Sequence, residues 1–252
     1  MKIQYLSDLH LEFAANRAWL RENPIVPAGE ILVVAGDTFY LGEHHKADDF
    51  IRYVARHFRQ TYLIPGNHEY YGGFDVTETP FSFRQSLAEN VTMLNNVVEE
   101  KDGVRLIFST MWSLIDRDEI GIMRGLNDFR LIQNQGKLLT VAGFNELHAR
   151  SMDFLRGELA RPSTNPKVVV THHLPADGCN HPRFRGTLLN PAFCTDYTEL
   201  IEAADLTAWI YGHSHRNVAK FELKGTRILT NQLGYVQYGE QADFSLERVL
   251  EV

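Results

Sequence analysis

His213 and His215 stand one serine apart, directly after the apolar run AWIY (208–211) and Gly212. Side chains two positions apart in an extended or irregular segment project to the same side, so both imidazoles can reach one point in space. Four other apolar runs end in comparable groups. KIQYL (2–6) leads into Asp8 and His10, EILVVA (30–35) into Gly36 and Asp37, TYLI (61–64) into Gly66, Asn67 and His68, and KVVVT (167–171) into His172 and His173. Taken singly, each has an ordinary reading: a solvated turn aspartate, a strand exit, a satisfied core histidine. Taken together they supply two aspartates, one asparagine and four or five histidines. Carboxylate and amide oxygens mixed with imidazole nitrogens suit divalent Mn, Fe or Zn, with Mg less favoured, and the lack of thiolates argues against a structural zinc site. Seven donors exceed what one ion needs. Two ions about 3.5 to 4 Å apart, with one aspartate between them, would use them all, and such pairs carry out metal-assisted hydrolysis.

The elements that must position these groups follow from the hydrophobic pattern. The five runs above, together with VRLIFST (104–110) and RILTN (227–231), are short and rich in β-branched residues, as buried strands are. Between them ADDFIRYVARHF (47–58), SFRQSLAEN (82–90), NELHARSMDFLRGEL (145–159) and DYTELIEAA (196–204) show helical spacing. This alternation predicts an α/β fold with largely buried sheets. In the last third AWIY, NVAKFEL, RILTN and the tail from Gly239 follow one another across turns such as KGT (224–226), which predicts antiparallel neighbours and a second sheet. Open α/β sheets gather ligands at the carboxyl ends of their strands, so the five polar groups should share one rim.

Length and composition bound the rest. The 252 residues, 44% hydrophobic and 23% charged, are read as one domain spanning 1–252. No run approaches the roughly 18 apolar residues of a membrane span, and MKIQYLSDLHLEF is too acidic for a signal peptide, so the expected location is the cytoplasm. Cys179 and Cys194 are then expected as free thiols. A net charge of −7 disfavours nucleic acid and anionic membrane as partners, without excluding a phosphate-bearing substrate at a locally positive site. A single sequence sets no oligomeric state. The longest irregular stretch, 173–195, is of a size that usually caps a site or moves.

The ordered series Asp-x-His (8–10), Gly-Asp (36–37), Gly-Asn-His-Glu (66–69), a later His (172) and Gly-His-x-His (212–215) resembles the calcineurin-like metallophosphoesterase superfamily. The resemblance runs from residue 8 to residue 215. It implies a four-layer αββα sandwich, two mixed sheets packed face to face and flanked by helices. It also implies that Asp8, His10 and His215 hold one ion, Asn67, His172 and His213 the other, and that Asp37 bridges them. His172 is preferred to His173 because in similar segments the histidine nearest the strand is the ligand. A water shared by the ions would be the nucleophile, and no covalent phosphoenzyme is expected. His68 takes by resemblance a place beside the leaving-group oxygen, as proton donor or charge stabiliser, or simply as an orienting neighbour.

One departure narrows the activity. Protein Ser/Thr phosphatases of the superfamily extend Gly-Asp as Gly-Asp-x-x-Asp-Arg, whereas this chain reads GDTFYLG with Tyr40 in place of the second aspartate. The chain looks more like the compact bacterial phosphodiesterases. Substrate contacts are sought in Tyr70 (or Tyr71), which could stack on a base or merely pack, in Arg183 and Arg185 beside Asn180 and His181, and in Arg216 with Asn217. The expected activity is hydrolysis of a small, soluble phosphodiester. The alternatives are a phosphomonoesterase on the same site and a non-catalytic scaffold of the same fold, as in a retromer subunit of the superfamily.

Overall fold

Alternate residues of the apolar runs find opposite apolar faces, which is why they settle as strands. The computed structural model describes residues 1–252. In chain order the strands are β1 (Lys2–Leu6), β2 (Ile31–Ala35), β3 (Gln60–Ile64), β4 (Phe83–Ala88), β5 (Val91–Asn95), β6 (Val97–Lys101), β7 (Val104–Ser109), β8 (Gln133–Asn134), β9 (Lys137–Leu138), β10 (Lys167–Thr171), β11 (Ala208–Tyr211), β12 (Phe221–Leu223), β13 (Thr226–Thr230) and β14 (Val249–Glu251). The helices are α1 (Ala14–Glu22), α2 (Asp48–His57), α3 (Glu119–Gly125), α4 (Asp128–Leu131), α5 (Val141–Leu159) and α6 (Thr198–Ala203).

Two six-stranded sheets result, ordered β14-β1-β2-β3-β5-β4 and β12-β13-β11-β10-β7-β6. In each the four central strands are parallel and an antiparallel strand closes either edge. β8 and β9 form a separate small hairpin. The period-two alternation is legible in the packing. Ile3, Tyr5, Val33 and Ile64 of the first sheet meet Phe108, Val170 and Ile210 of the second in the central core. The intervening residues face outward, Leu32, Val34 and Leu63 against Phe50 and Val54 of α2, and Ile107, Val169 and Trp209 against Met152, Leu155 and Leu159 of α5. The four layers expected are therefore present. α5 is capped by Thr140, whose hydroxyl accepts the Gly143 N–H at 3.1 Å and so satisfies one of the donors a helix start leaves free.

Three expectations are corrected. Residues 82–90 are no helix: β4 occupies Phe83–Ala88 as an edge strand, antiparallel to β5, with three of its six residues exposed and the other three half-buried. Phe83 and Leu87 sit at a helical spacing, yet both pack half-buried against the α2-side core, and a register shift between Ser86 and Ala88 interrupts the strict alternation of the edge strand. β11 and β13 pair in parallel, because the antiparallel β12–β13 hairpin over KGT folds back to insert β13 beside β11. The tail joins the first sheet, as β14 pairs with β1. Residues 173–195 are tethered at their ends by Leu174 N–H to Phe193 O at 3.1 Å and Thr195 N–H to Leu174 O at 3.3 Å. Cys179 and Cys194 within them are free and buried.

Candidate metal centre

The parallel strands β1, β2, β3, β10 and β11 deliver their carboxyl ends to one rim, Asp8, His10, Asp37 and Asn67 from the first sheet and His172, His213 and His215 from the second. Five of these seven residues turn the chain through the left-handed region, with φ of 57° at Asp8, 48° at His10, 54° at Asp37, 79° at His213 and 51° at His215. Side chains other than glycine seldom adopt it, and such backbone strain clusters at functional sites. Close approach explains the neighbouring glycines. A Cβ on Gly212 would lie 2.7 Å from Asp8 Oδ2, and one on Gly66 would run into Asp37 and His172.

The donors fall into two groups. Asp8, His10, Asp37 and His215 each place one donor atom within 4.8 Å of the others, and Asp37, His172 and His213 do the same. Asp37 belongs to both: its Oδ2 lies 3.7 Å from His10 Nε2 and its Oδ1 3.4 Å from His172 Nε2. Asn67 Oδ1 joins the second group, 3.1 Å from His172 Nε2, which is also 3.1 Å from His213 Nδ1. His173 stands outside both groups. It is buried against His213 and Trp112, with neither ring nitrogen hydrogen-bonded.

The far nitrogens fix how the rings are presented. His10 Nδ1 meets Glu12 Oε1 at 3.0 Å, His215 Nδ1 meets Glu240 Oε2 at 2.9 Å and His172 Nδ1 meets Ala35 O at 2.9 Å. Each acceptor holds the ring proton on Nδ1 and turns the Nε2 lone pair toward the site. The Nε2 atoms of His10 and His215 then face one another at 2.8 Å. Burial keeps His10 below its usual pKa, with His68 adding to the effect and Glu12 opposing it. With both Nδ1 atoms engaged by carboxylates, these converging Nε2 atoms are placed to share a divalent metal.

His68 sits at the edge of this set. Its ring stacks on Tyr71 at 4.2 Å, its Nδ1 meets Glu12 Oε1 at 2.9 Å and its Nε2 meets the Tyr235 hydroxyl at 3.1 Å. Burial alone would lower the imidazole, but Asp37 and Glu12 push it up to about 9. Cations on the Asp37 carboxylate would oppose that rise. Burial would raise Glu12, yet the charge and hydrogen bond of His10, with those of His68, pull it down to about 2.

Four groups escaped the sequence reading, and a fifth, Glu69, was read as part of its motif but given no role. Glu12 orients two histidines, Glu240 orients His215, Asp128 accepts Asn67 Nδ2–H at 2.9 Å, Tyr235 packs on His10 at 4.6 Å, and Glu69 joins two loops. Glu69 accepts the backbone N–H groups of Asp37 at 3.0 Å, Thr38 at 2.6 Å and Gly66 at 2.6 Å. Glu12 and Glu69 carried a signal, since both lie within two residues of a motif histidine. Asp128, Tyr235 and Glu240 follow no strand and gave none.

The residues sought for substrate separate. Arg216 is at the rim, its Nη2 3.4 Å from Glu240 Oε1. Tyr70 is not: it is 4% exposed, packed between Phe74 and Trp112, and unavailable for stacking. Its neighbour Tyr71 supplies the ring at His68. Arg183 and Arg185 stay on the long loop, the first over Phe184 and the second donating to Asn180 O at 3.1 Å, and neither bonds to the seven donors. The loop touches the centre instead through Phe193, stacked on His213 at 4.4 Å.

Comparison with known proteins assigns this architecture. The calcineurin-like phosphoesterase family model matches residues 1–217, and the chain belongs to that family. Membership places it among metal-dependent phosphoric ester hydrolases. The chain is 29% identical to the uncharacterised protein L509 of Acanthamoeba polyphaga mimivirus over 92% of its length and 91% of that protein's. Among solved structures it resembles a phosphopantetheinyl hydrolase from Mycobacterium tuberculosis, with TM-score 0.69, 17% identity, and 99% and 95% of the two chains covered. A dimetal phosphatase from Danio rerio aligns with TM-score 0.48 and 12% identity over 92% and 87% of the chains. The first of these structures shares the fold. No helix is long and apolar enough to cross a membrane.

Proposed function

We propose that this chain hydrolyses a small, soluble phosphodiester with two divalent cations, Mn, Fe or Zn, held by Asp8, His10 and His215 on one side, Asn67, His172 and His213 on the other, and Asp37 between. The observation that carries the reading is the Asp37 carboxylate, with one oxygen turned to each ligand group. When bound, the cations supply positive charge for the phosphoryl oxygens and lower the pKa of the attacking water. The chain supplies the rest. Glu12, Glu240 and the Ala35 carbonyl hold imidazole protons on Nδ1 so that three Nε2 atoms stay free to bind. Because Glu12 also accepts the Nδ1–H of His68, the proton His68 can give a departing alkoxide is the one on Nε2.

A diester is favoured over a monoester by the cation count around the ligands. Arg216 is the cationic side chain bonded at the rim, and Glu240 already holds it. A singly charged diester asks for less positive charge than a monoester dianion, and more for a proton on its alkoxide. The span 1–252 acts as one domain in this reading, since the last strand pairs with the first. Free buried thiols agree with a cytoplasmic setting.

The test is hydrolysis of a chromogenic phosphodiester and its matching monoester with added manganese, before and after chelation, beside elemental analysis of the protein. Chelator-sensitive diester turnover exceeding monoester turnover is expected. A monoester preference would reassign the substrate class, and turnover of neither at two metals per chain would point to a scaffold.

A further inference from the structure

A cleft of about 820 Å³ opens along one side of the sandwich, where β1 and β14 of the first sheet face β13 and the approach to β12 of the second. Tyr5, Leu229 and Leu250 form its floor, 4%, 5% and 3% exposed. Two guanidiniums line it from opposite sheets, Arg227 on β13 and Arg248 just before β14. Backbone carbonyls hold both in place. Arg227 donates from Nε to Thr207 O at 3.2 Å and from Nη1 to Glu251 O at 3.0 Å, and Arg248 donates from Nη1 to Thr230 O at 3.0 Å.

Each guanidinium keeps further N–H donors in hand, and neither pairs with a carboxylate. Two carboxylates line the cleft with them: Glu251 turns to Lys2 at 4.0 Å, and Asp243 pairs with neither guanidinium. The chain has 32 acidic residues against 25 basic ones, so carboxylates were plentiful. Half-buried charge without a counter-ion is costly, and an anion from outside removes that cost. The Tyr5 hydroxyl points to the same place. Its ring lines the same cleft as Arg227 and Arg248, and both cations oppose the rise that burial imposes on it.

We propose that this cleft binds an organic phosphate with an apolar body, its oxygens held between Arg227 and Arg248 and by the Tyr5 hydroxyl. Two planar forks and a phenol offer three separate donor groups, which suits the three terminal oxygens of a phosphate better than the two of a carboxylate. Val218, Ala219 and Val249 give the body an apolar wall. The cleft is distinct from the metal centre. Asn217, where its wall begins, is clamped by mutual hydrogen bonds with the Gln232 backbone at 2.7 and 2.9 Å.

Hexylphosphonate, whose hexyl group is joined to phosphorus by a C–P bond and so offers no ester to hydrolyse, is the probe. It is titrated calorimetrically into the metal-loaded full chain, into Arg227→Gln/Arg248→Gln and into Tyr5→Phe, each with and without chelation of the metals. The wild type should show a binding event that survives chelation, weakened at least about tenfold in the double variant and roughly threefold to tenfold in Tyr5→Phe. Should the double variant fail to fold by circular dichroism, Tyr5→Phe decides. No chelation-resistant event, the same event in all three proteins, or hexanoate binding as tightly as hexylphosphonate would each overturn the proposal.

Discussion

Asn67 can present either its oxygen or its amide nitrogen to the second ligand group, and Asp128 decides which. By accepting Nδ2–H at 2.9 Å, Asp128 leaves Oδ1 facing His172 Nε2 at 3.1 Å. The Tyr71 hydroxyl donates to the same Asp128 oxygen. Burial raises the Asp128 carboxyl, and these two donors partly restore it. Asp128→Ala should therefore weaken the cation at Asn67, His172 and His213 about 10- to 100-fold while sparing the other, because partners of metal ligands typically matter by that factor. Competition titration with a chromogenic chelator measures both affinities, and equal loss at both would remove the orienting role. His68 has the opposite signature. It is not a donor to either group, so His68→Ala should keep two metals by elemental analysis and lose about 10²- to 10⁴-fold of alkyl diester turnover. Unchanged turnover would strip it of the acid role.

The long loop at 173–195 is the element whose behaviour its composition does not announce. Its ends are closed by backbone hydrogen bonds, and its two thiols lie in the core under α5 and α6. Burial pushes the Cys179 thiol up to about 12, with Tyr211 drawing it partly back, and Cys194 is raised as well. A thiolate fraction near one in ten thousand at pH 8 follows for Cys179 (~10⁻⁴), so a disulfide reagent should label the native chain about a thousandfold slower than the denatured one. Native labelling should rise roughly tenfold per pH unit from 7 to 9, where an ordinary thiol levels off. Fast labelling at pH 7 would mean that the loop opens. The same elements show what a sequence reveals. β1, β2, β3, β10 and β11 were legible because burial on both faces leaves a continuous apolar run, and their exits carried all seven donors. β4 was not, since an edge strand lacks a run buried on both faces, and Asp128 and Glu240 were not, since they reach the centre from the starts of short helical turns and not from strand exits. Tyr70 misled because its neighbour Tyr71 has the same chemistry and is equally buried, and the sequence does not say which of the two rings meets His68.

Across the whole molecule, each ligand group draws on both sheets. Asp8, His10 and Asp37 leave the first sheet to meet His215 from the second, and Asn67 and Asp37 leave the first to meet His172 and His213. The sheets otherwise adhere through a shared apolar core that ends below the rim. Cations bound there, as proposed, would tie the two halves of the sandwich together, and only in the folded chain, because the donors are scattered from residue 8 to residue 215. Binding to the native state alone stabilises it by about 2.7 kcal/mol per site at a hundredfold excess over Kd. Two sites give roughly 5 kcal/mol, and at about 2 to 4 °C per kcal/mol for a chain of this size the melting temperature should fall by some ~10 to 20 °C on chelation. Asp37→Asn alters the one residue common to both groups, so its chelation shift should be less than about half that of the wild type, whereas His68→Ala should keep the full shift. Differential scanning calorimetry on protein carrying two metals per chain is the measurement. A melting temperature indifferent to chelation would mean that the sheets hold their register at the rim without the ions, and the centre would then be an occupant of the fold and no part of what binds its halves.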